Sequence, residues 1–151
     1  MTAESVPEDA DMVYGMFRIN SIPASVLFDS GASHSFITKS FMEKHNIPKY
    51  SLKMLHISSP GGDMKATHSC LHVNLKIQGI DFPVNLVVLG SNGIDVILGC
   101  DWLKSCDGVI QCANGTITLT SPQGERIQVS IDKSTYAKGK TVINHLEEKP
   151  L

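Results

Sequence analysis

A single aspartate stands where an apolar stretch of the sequence ends. Val26–Phe28 runs directly into Asp29-Ser30-Gly31, so a carboxylate follows residue types that are typical of a buried strand. A buried carboxylate is costly unless it is hydrogen bonded, and the Ser30 hydroxyl and the N–H groups of a glycine turn could supply those bonds. A carboxylate held in this way can transfer protons as a general acid or base. Asp29 is therefore the first candidate for catalysis.

The same tripeptide has a simpler explanation, because an Asx-type turn that closes a hairpin often has this composition. A second group of polar side chains, His68, Cys70 and His72, would lie on one face of a strand. Alternating residues of one strand rarely provide the four tetrahedral ligands of zinc. We therefore expect no metal and no cofactor.

A serine hydrolase is also a poor fit to this sequence. His34 is flanked by serines, but a Gly-x-Ser-x-Gly motif is absent, and neighbouring residues on a strand point to opposite faces. A nucleophile activated by His34 is therefore not expected.

Composition narrows the class of protein further. The chain has 151 residues, of which 42% are hydrophobic and 19% charged, as expected for one globular domain. The net charge is -2, and no Lys/Arg block is interleaved with aromatic residues, so direct nucleic-acid binding is not expected. No apolar run is long enough to cross a membrane, and the start of the chain is acidic, unlike a signal peptide. The four cysteines lack paired close spacing and are predicted to be free thiols in a reducing compartment.

The elements that would position Asp29 are mostly strands. Charged ends without apolar periodicity predict linkers at 1–11 and 132–151, around one domain at 12–131. Short β-branched and aliphatic runs separated by Gly, Pro, Asn and Asp favour eight to ten strands. The predicted strands are Val13–Ile19, Pro23–Phe28, Leu52–Ser58, Met64–Leu71, Val73–Ile77, Phe82–Leu89, Val96–Gly99, Val109–Cys112, Thr116–Thr120 and Arg126–Ile131. The predicted helices are short, Thr38–His45 with Thr38 as N-cap and Trp102–Ser105 capped by Asp101.

These elements follow one another in the same order twice. In each half a hairpin leads to an apolar strand, a glycine-containing turn and a short helix, which indicates a degenerate internal repeat.

Two stretches of the sequence resemble the retropepsins, the aspartic proteases of retroviruses and long-terminal-repeat retrotransposons. Leu27–Ile37 is similar to the catalytic loop of that family and the strand after it, and Asp95–Leu103 is similar to its second apolar-Gly signature and following helix. The resemblance is strongest to the plant type of the Ty3/gypsy group and covers about residues 13–131. It implies a mostly β, retropepsin-like half-barrel with short helices that is active as a homodimer.

The resemblance also implies how Asp29 would work. Two aspartates about 3 Å apart cannot both ionise, so one stays protonated, and a water between them is activated to attack a peptide carbonyl. No second Asp-(Ser/Thr)-Gly follows Gly31, so the second carboxylate would come from another copy of the chain. Asp29, Ser30 and Gly31 are thus the expected catalytic residues, with Ser30 locking the two loops together.

The resemblance further implies a flap at Ile57–Met64 that closes over an extended peptide substrate. The residues expected to contact substrate come from the catalytic loop, the flap and the second motif; they are Ala32, Ile57, Ser59, Gly61, Gly62, Ile97 and Leu98. One departure from retroviral relatives is Cys100, which stands where many of them have an arginine that braces the catalytic loop. Which residue replaces that brace is left open, and Asp101 is more simply explained as a helix cap.

The function expected from these features is endoproteolytic processing of a retrotransposon polyprotein, in the cytoplasm and within virus-like particles. The alternative is a retropepsin-like domain that has lost activity and serves as a dimerisation or peptide-binding module. The intact Asp29-Ser30-Gly31 favours the enzyme.

Overall fold

The computed structural model describes residues 12–59, 62–90 and 93–131. The predicted linkers, 1–11 and 132–151, lie outside the described residues, and so do Pro60 and Gly61 of the predicted flap.

The described residues form ten strands and two short helices, and the predicted mostly β fold is confirmed. In chain order they are β1 (Met12–Ile19), β2 (Ile22–Asp29), β3 (Phe36–Thr38), α1 (Lys39–Lys44), β4 (Tyr50–Ser59), β5 (Gly62–Ile77), β6 (Ile80–Leu89), β7 (Val96–Leu98), α2 (Cys100–Ser105), β8 (Val109–Gln111), β9 (Thr116–Thr120) and β10 (Arg126–Ser130). No helix among the described residues is long and apolar enough to span a membrane.

One predicted boundary is wrong, because Met64–Leu71 and Val73–Ile77 belong to a single strand, β5, of 16 residues. The register with β6 shifts between Cys70 and Val73, and His72 has a positive φ of 54°. A local irregularity of this kind bends a strand without ending it. It also breaks the alternation that would have put His68, Cys70 and His72 on one face.

The larger sheet has the strand order β1-β2-β7-β3-β6-β5-β4. The predicted repeat is visible in this order. In the first hairpin, β1–β2, strand β2 pairs in parallel with β7. In the second hairpin, β5–β6, strand β6 pairs in parallel with β3. At the centre β3 and β7 run antiparallel. Exchanging the two halves of the chain leaves these pairings unchanged, so the internal repeat is confirmed as a twofold relation within the chain. β8, β9 and β10 form a separate three-stranded sheet.

Alternation along the strands divides the apolar residues into two clusters. Phe28 and Leu98 lie in the larger cluster with Trp102, whose ring centroid is 5.9 Å from that of Phe28. Leu27 and Ile97 point to the opposite side of the same strands and belong to a smaller cluster. Trp102 therefore anchors α2 in the larger cluster.

The two helices differ in how they begin. The N-cap predicted for α1 is confirmed, since the Phe41 N–H donates to Thr38 Oγ1. The N-cap predicted for α2 is wrong, because the helix begins at Cys100 and Gly99 takes the cap position without a side-chain bond. Asp101 instead lies in the first turn of α2, where a carboxylate interacts favourably with the helix dipole.

All four cysteines are free, as predicted. Burial raises the pKa of the Cys70 thiol and raises that of Cys106 to about 12, so both are expected to stay protonated near neutral pH. Neither therefore has the thiolate character that nucleophilic cysteines need.

Candidate active site

The last residue of β2, Asp29, lies at the end of the parallel pair that β2 forms with β7. Its side chain is buried, with 1% of its surface exposed. The Gly31 N–H donates to Asp29 Oδ1 at 2.8 Å, and the Ala32 N–H donates to the Asp29 carbonyl oxygen at 3.1 Å. The loop therefore turns back on the carboxylate and supplies a donor to its charged form, as the sequence predicts.

An apolar cluster lies on the Asp29 side of the sheet. Ala32, Ile57 and Ile97, which the sequence assigns to substrate contact, all belong to it. The remaining buried members are Leu27, Phe36, Ala66, Leu89 and Ile94. The three predicted residues come from the catalytic loop, the flap hairpin and β7, so the fold brings together parts of the chain that are far apart in sequence.

Leu98 is placed apart from these three residues. It is fully buried in the larger core cluster together with Phe28, whereas its neighbour Ile97 lies in the smaller one. Successive residues of a strand point to opposite faces, so Ile97 and Leu98 cannot both face the same groove. Ile97 and Leu98 are adjacent in the sequence, so their placement on opposite faces of β7 could have been predicted.

The predicted flap is the hairpin of β4 and β5. The two strands pair up to its end, with Ile57 opposite Met64 and Ser59 opposite Gly62. Gly61, the predicted tip residue, lies outside the described residues. The contacts of Ser59, Gly61 and Gly62 with substrate stay predictions.

The second sequence motif holds the catalytic loop in place through hydrogen bonds from Cys100. The Cys100 N–H donates to the Ala32 carbonyl at 2.7 Å, and the Cys100 thiol donates to the Ser30 carbonyl at 2.9 Å. The Gly99 backbone lies so close to the backbone of the catalytic loop that a Cβ at Gly99 would be 2.3 Å from the His34 carbonyl oxygen. Glycine is therefore required at this position by the approach of two backbone segments.

Sequence reasoning missed two polar pairs that join these segments. Ser35 Oγ donates to Asp101 Oδ1 at 2.7 Å, and Ser25 and Asp95 exchange two bonds between side chain and backbone N–H, both of 2.9 Å. Ser25 is on β2, and Asp95 directly precedes β7. The only signal in the sequence was that both aspartates belong to the second motif.

The other groups considered from the sequence do not form a comparable site. Among the described residues no three His, Cys, Asp or Glu side chains are arranged to hold a metal. Ser33 Oγ and His34 Nδ1 are 2.9 Å apart, but they are adjacent residues at an exposed position. This contact is exposed, whereas Asp29 is buried.

A cavity of about 250 Å³ lies elsewhere, between α1 and the strands β5 and β6. It is lined by Lys39, Met42, Lys49, Lys65, Thr67, His68, Val88 and Gly90. None of these residues belongs to the catalytic loop or to the apolar cluster around Ala32. This cavity is therefore separate from the candidate active site.

Comparison with known proteins gives several matches that span most of the chain. A family model described as retroviral aspartyl protease matches residues 1–125. DNA damage-inducible protein 1 from Candida glabrata is 27% identical over 137 residues, covering 87% of this chain and 32% of that protein. The chain thus spans about a third of the length of this curated relative.

Solved structures with the same fold include a domain and a viral enzyme. The retroviral protease-like domain of Ddi1 from Leishmania major has a TM-score of 0.58 at 18% identity, covering 80% of this chain and 93% of that one. EIAV protease in complex with the inhibitor HBY-793 has a TM-score of 0.50 at 26% identity, covering 61% of this chain and 85% of that one.

Proposed function

The chain belongs to the retroviral aspartyl protease family, and we propose that it is an aspartic endopeptidase whose active site combines the Asp29 carboxylates of two identical subunits. The observation that carries this proposal is the buried Asp29 at the end of β2, with a loop N–H bonded to its carboxylate. A charged group placed there is costly for the fold, and catalysis gives a reason for keeping it.

The proposed mechanism follows from pairing two carboxylates. Like charges about 3 Å apart raise the pKa of one member, so the pair carries one proton near neutral pH; aspartic proteases are the usual example of this effect. The ionised Asp29 takes a proton from a water held between the pair, and that water attacks the carbonyl carbon of the peptide bond. The protonated Asp29 donates its proton to the carbonyl oxygen as the tetrahedral intermediate forms. The reaction needs no covalent intermediate.

A homodimer is part of this proposal because one chain holds only one half of the catalytic pair. Asp29-Ser30-Gly31 is the one Asp-(Ser/Thr)-Gly tripeptide in the sequence. A twofold axis between two catalytic loops would bring the carboxylates together, with Ser30 contacting the partner loop.

The proposed substrate is an extended peptide. It would lie between the flap hairpin and the catalytic loop, adding a strand to the sheet edge. Ala32, Ile57 and Ile97 share an apolar cluster there, which favours apolar side chains next to the cleaved bond.

The parent protein is a separate part of the proposal. We infer a polyprotein of a Ty3/gypsy retrotransposon, processed in the cytoplasm within virus-like particles, from the Leu27–Ile37 and Asp95–Leu103 motifs. A similar sequence also occurs in a protein named DNA damage-inducible protein 1, which is not named as a retrotransposon polyprotein. The proposed chemistry at Asp29 is the same for either parent.

Peptide cleavage is the direct test of the proposed activity. Purified protein should cleave peptides from a library at mildly acidic pH, and a statine-type inhibitor should abolish cleavage because it mimics the tetrahedral intermediate. A chelator and a serine-directed reagent serve as controls and should have no effect. Cleavage that resists statine but disappears with the chelator would rule out the carboxylate mechanism.

Dilution tests the shared site. Below the dimer dissociation constant, specific activity should fall roughly tenfold for each tenfold dilution, since mass action removes dimers. A ninefold excess of Asp29→Asn subunits should leave roughly 10% of the wild-type activity by random pairing. Sedimentation measured over the same concentrations reports the dimer directly. Constant specific activity in a proven monomer would contradict the shared site.

A further inference from the structure

A buried hydroxyl, that of Ser35, takes part in attaching the catalytic loop to α2. Ser35 is 1% exposed, and its Oγ donates to Asp101 Oδ1 at 2.7 Å while accepting from the Gly99 N–H at 3.0 Å. Asp101 Oδ1 also accepts from the Trp102 N–H at 2.7 Å. A hydroxyl has one proton to donate, and here both its donor and its acceptor capacity are used.

These bonds join two segments that are far apart in sequence. Ser35 and Asp101 are separated by 66 positions, and they meet where the loop after Asp29 passes the start of α2. Cys100 adds its own bonds to the carbonyls of Ser30 and Ala32. The loop between β2 and β3 is thus held on α2 near both of its ends.

We propose that Ser35 and Asp101 are positioning residues that fix the catalytic loop on α2 and so set the separation of the two Asp29 carboxylates. The pair performs the bracing task for which the sequence offered no arginine at Cys100. This inference rests on the proposed function, because the separation matters only if two Asp29 residues share one site.

The Ser35–Asp101 bond is not needed to keep the sheet on either side of the catalytic loop paired. β2 and β3 are both hydrogen bonded to β7, so the sheet on either side of the loop stays paired when the Ser35–Asp101 bond is removed. Asp101 is itself exposed, so its side chain contributes little to core packing. A misplacement of about 1 Å at a reacting group can cost roughly 100-fold in rate. Loss of the bond should therefore affect catalysis more than stability.

The first test is a pair of variants at Asp101. Asp101→Ala removes the acceptor and should lower kcat about 10- to 100-fold with little change in KM, because the apolar groove is left intact. Asp101→Asn keeps an oxygen at the same place and should stay within about threefold of wild type. Ser35→Ala should lower kcat at least as much as Asp101→Ala, because it also removes the acceptor of the Gly99 N–H. The effects should be less than additive in the double variant, since both substitutions remove the Ser35–Asp101 bond.

A pH profile distinguishes positioning from a general loss of stability. Carboxylates that lie farther apart interact less, so the two apparent pKa values of the bell-shaped kcat profile should move closer together in Asp101→Ala. Val129→Ala is the matched control, because Val129 is buried in the small sheet of β8, β9 and β10. It should lower the melting temperature while leaving kcat and the pH profile at 25 °C unchanged.

The outcomes separate this inference from the proposed function. If wild type is active and Asp101→Ala keeps both its kcat and its pH profile, the positioning role is rejected while the protease remains. If Asp101→Asn loses as much activity as Asp101→Ala, the hydrogen bond is not the cause and the inference also fails. An inactive wild-type dimer overturns the proposed function and this inference together.

Discussion

Replacement of Asp29 by asparagine should lower kcat/KM for peptide cleavage by roughly 1000-fold or more, because an amide cannot take the proton from the attacking water. The fold should survive the change. The amide oxygen of asparagine can still accept the bond from the Gly31 N–H, which spans 2.8 Å in the wild-type loop. Removing a charge from a side chain that is 1% exposed also removes a desolvation cost, so the melting temperature should stay equal or rise. Steady-state kinetics at mildly acidic pH and thermal unfolding measure the two effects.

The matched control for this substitution is Asp81→Asn. Asp81 is exposed and pairs with Lys76 at 3.0 Å, and the hydrogen bond from Lys76 lowers its pKa. It lies on β6, outside both the catalytic loop and the apolar cluster. Its amide variant should be fully active. An Asp29→Asn enzyme with wild-type activity would contradict the carboxylate mechanism.

Comparison of wild type with Asp29→Asn also decides between the enzyme and a dimerisation or peptide-binding module that has lost activity. A module that only dimerises or binds peptide would show no cleavage in wild type and equal peptide affinity in wild type and Asp29→Asn. If the protein is a protease, wild type cleaves the peptide, whereas Asp29→Asn binds it with similar affinity and does not cleave it. Peptide binding measured by fluorescence anisotropy next to the cleavage assay distinguishes the two.

Much of the fold was predictable because local sequence patterns carry it. Alternating apolar residues, turn residues between strands and the Thr38 cap all act over a few positions, and each matched an element of the structure. The repeat was also visible as a repeated order of elements. Two predictions were wrong, the break in β5 near His72 and the start of α2 at Cys100. β3 was not among the strands predicted from local pattern, because this three-residue strand pairs with β6 and β7, which are distant in sequence.

The catalytic candidate was predictable, but its supports were not. Asp29 stands out because a carboxylate at the end of an apolar run conflicts with simple burial. Ser35 carries no such conflict, since a serine in a loop is ordinary in any sequence. Its role comes from a partner 66 positions away, and single-sequence patterns do not report long-range pairing. For the same reason, the close approach of two backbone segments that requires glycine at Gly99 is visible only in the folded chain.

Gly99→Ala should lower stability strongly, because the added methyl group has no room. The new Cβ would lie 2.3 Å from the His34 carbonyl oxygen and 2.5 Å from that of Ala32, and backbone atoms cannot move aside alone. The φ of Gly99 is -102°, so the problem is space rather than backbone conformation. Overpacking of this kind costs about 3 kcal/mol, which corresponds to a melting temperature lower by roughly 10 °C. Thermal and urea unfolding measure this loss.

Activity should fall along with stability in Gly99→Ala, even at temperatures where the variant is folded. His34 and Ala32 belong to the loop that carries Asp29, so making room for the methyl group moves that loop. Gly90→Ala is the control, because a Cβ at Gly90 meets no atom within 4 Å. It should change the free energy of unfolding by less than about 0.5 kcal/mol and leave cleavage intact. A Gly99→Ala protein as stable and active as Gly90→Ala would show that the backbones of the catalytic loop and α2 do not approach closely enough to exclude a methyl group at Gly99. The support for Asp29 would then have to come from elsewhere in the subunit.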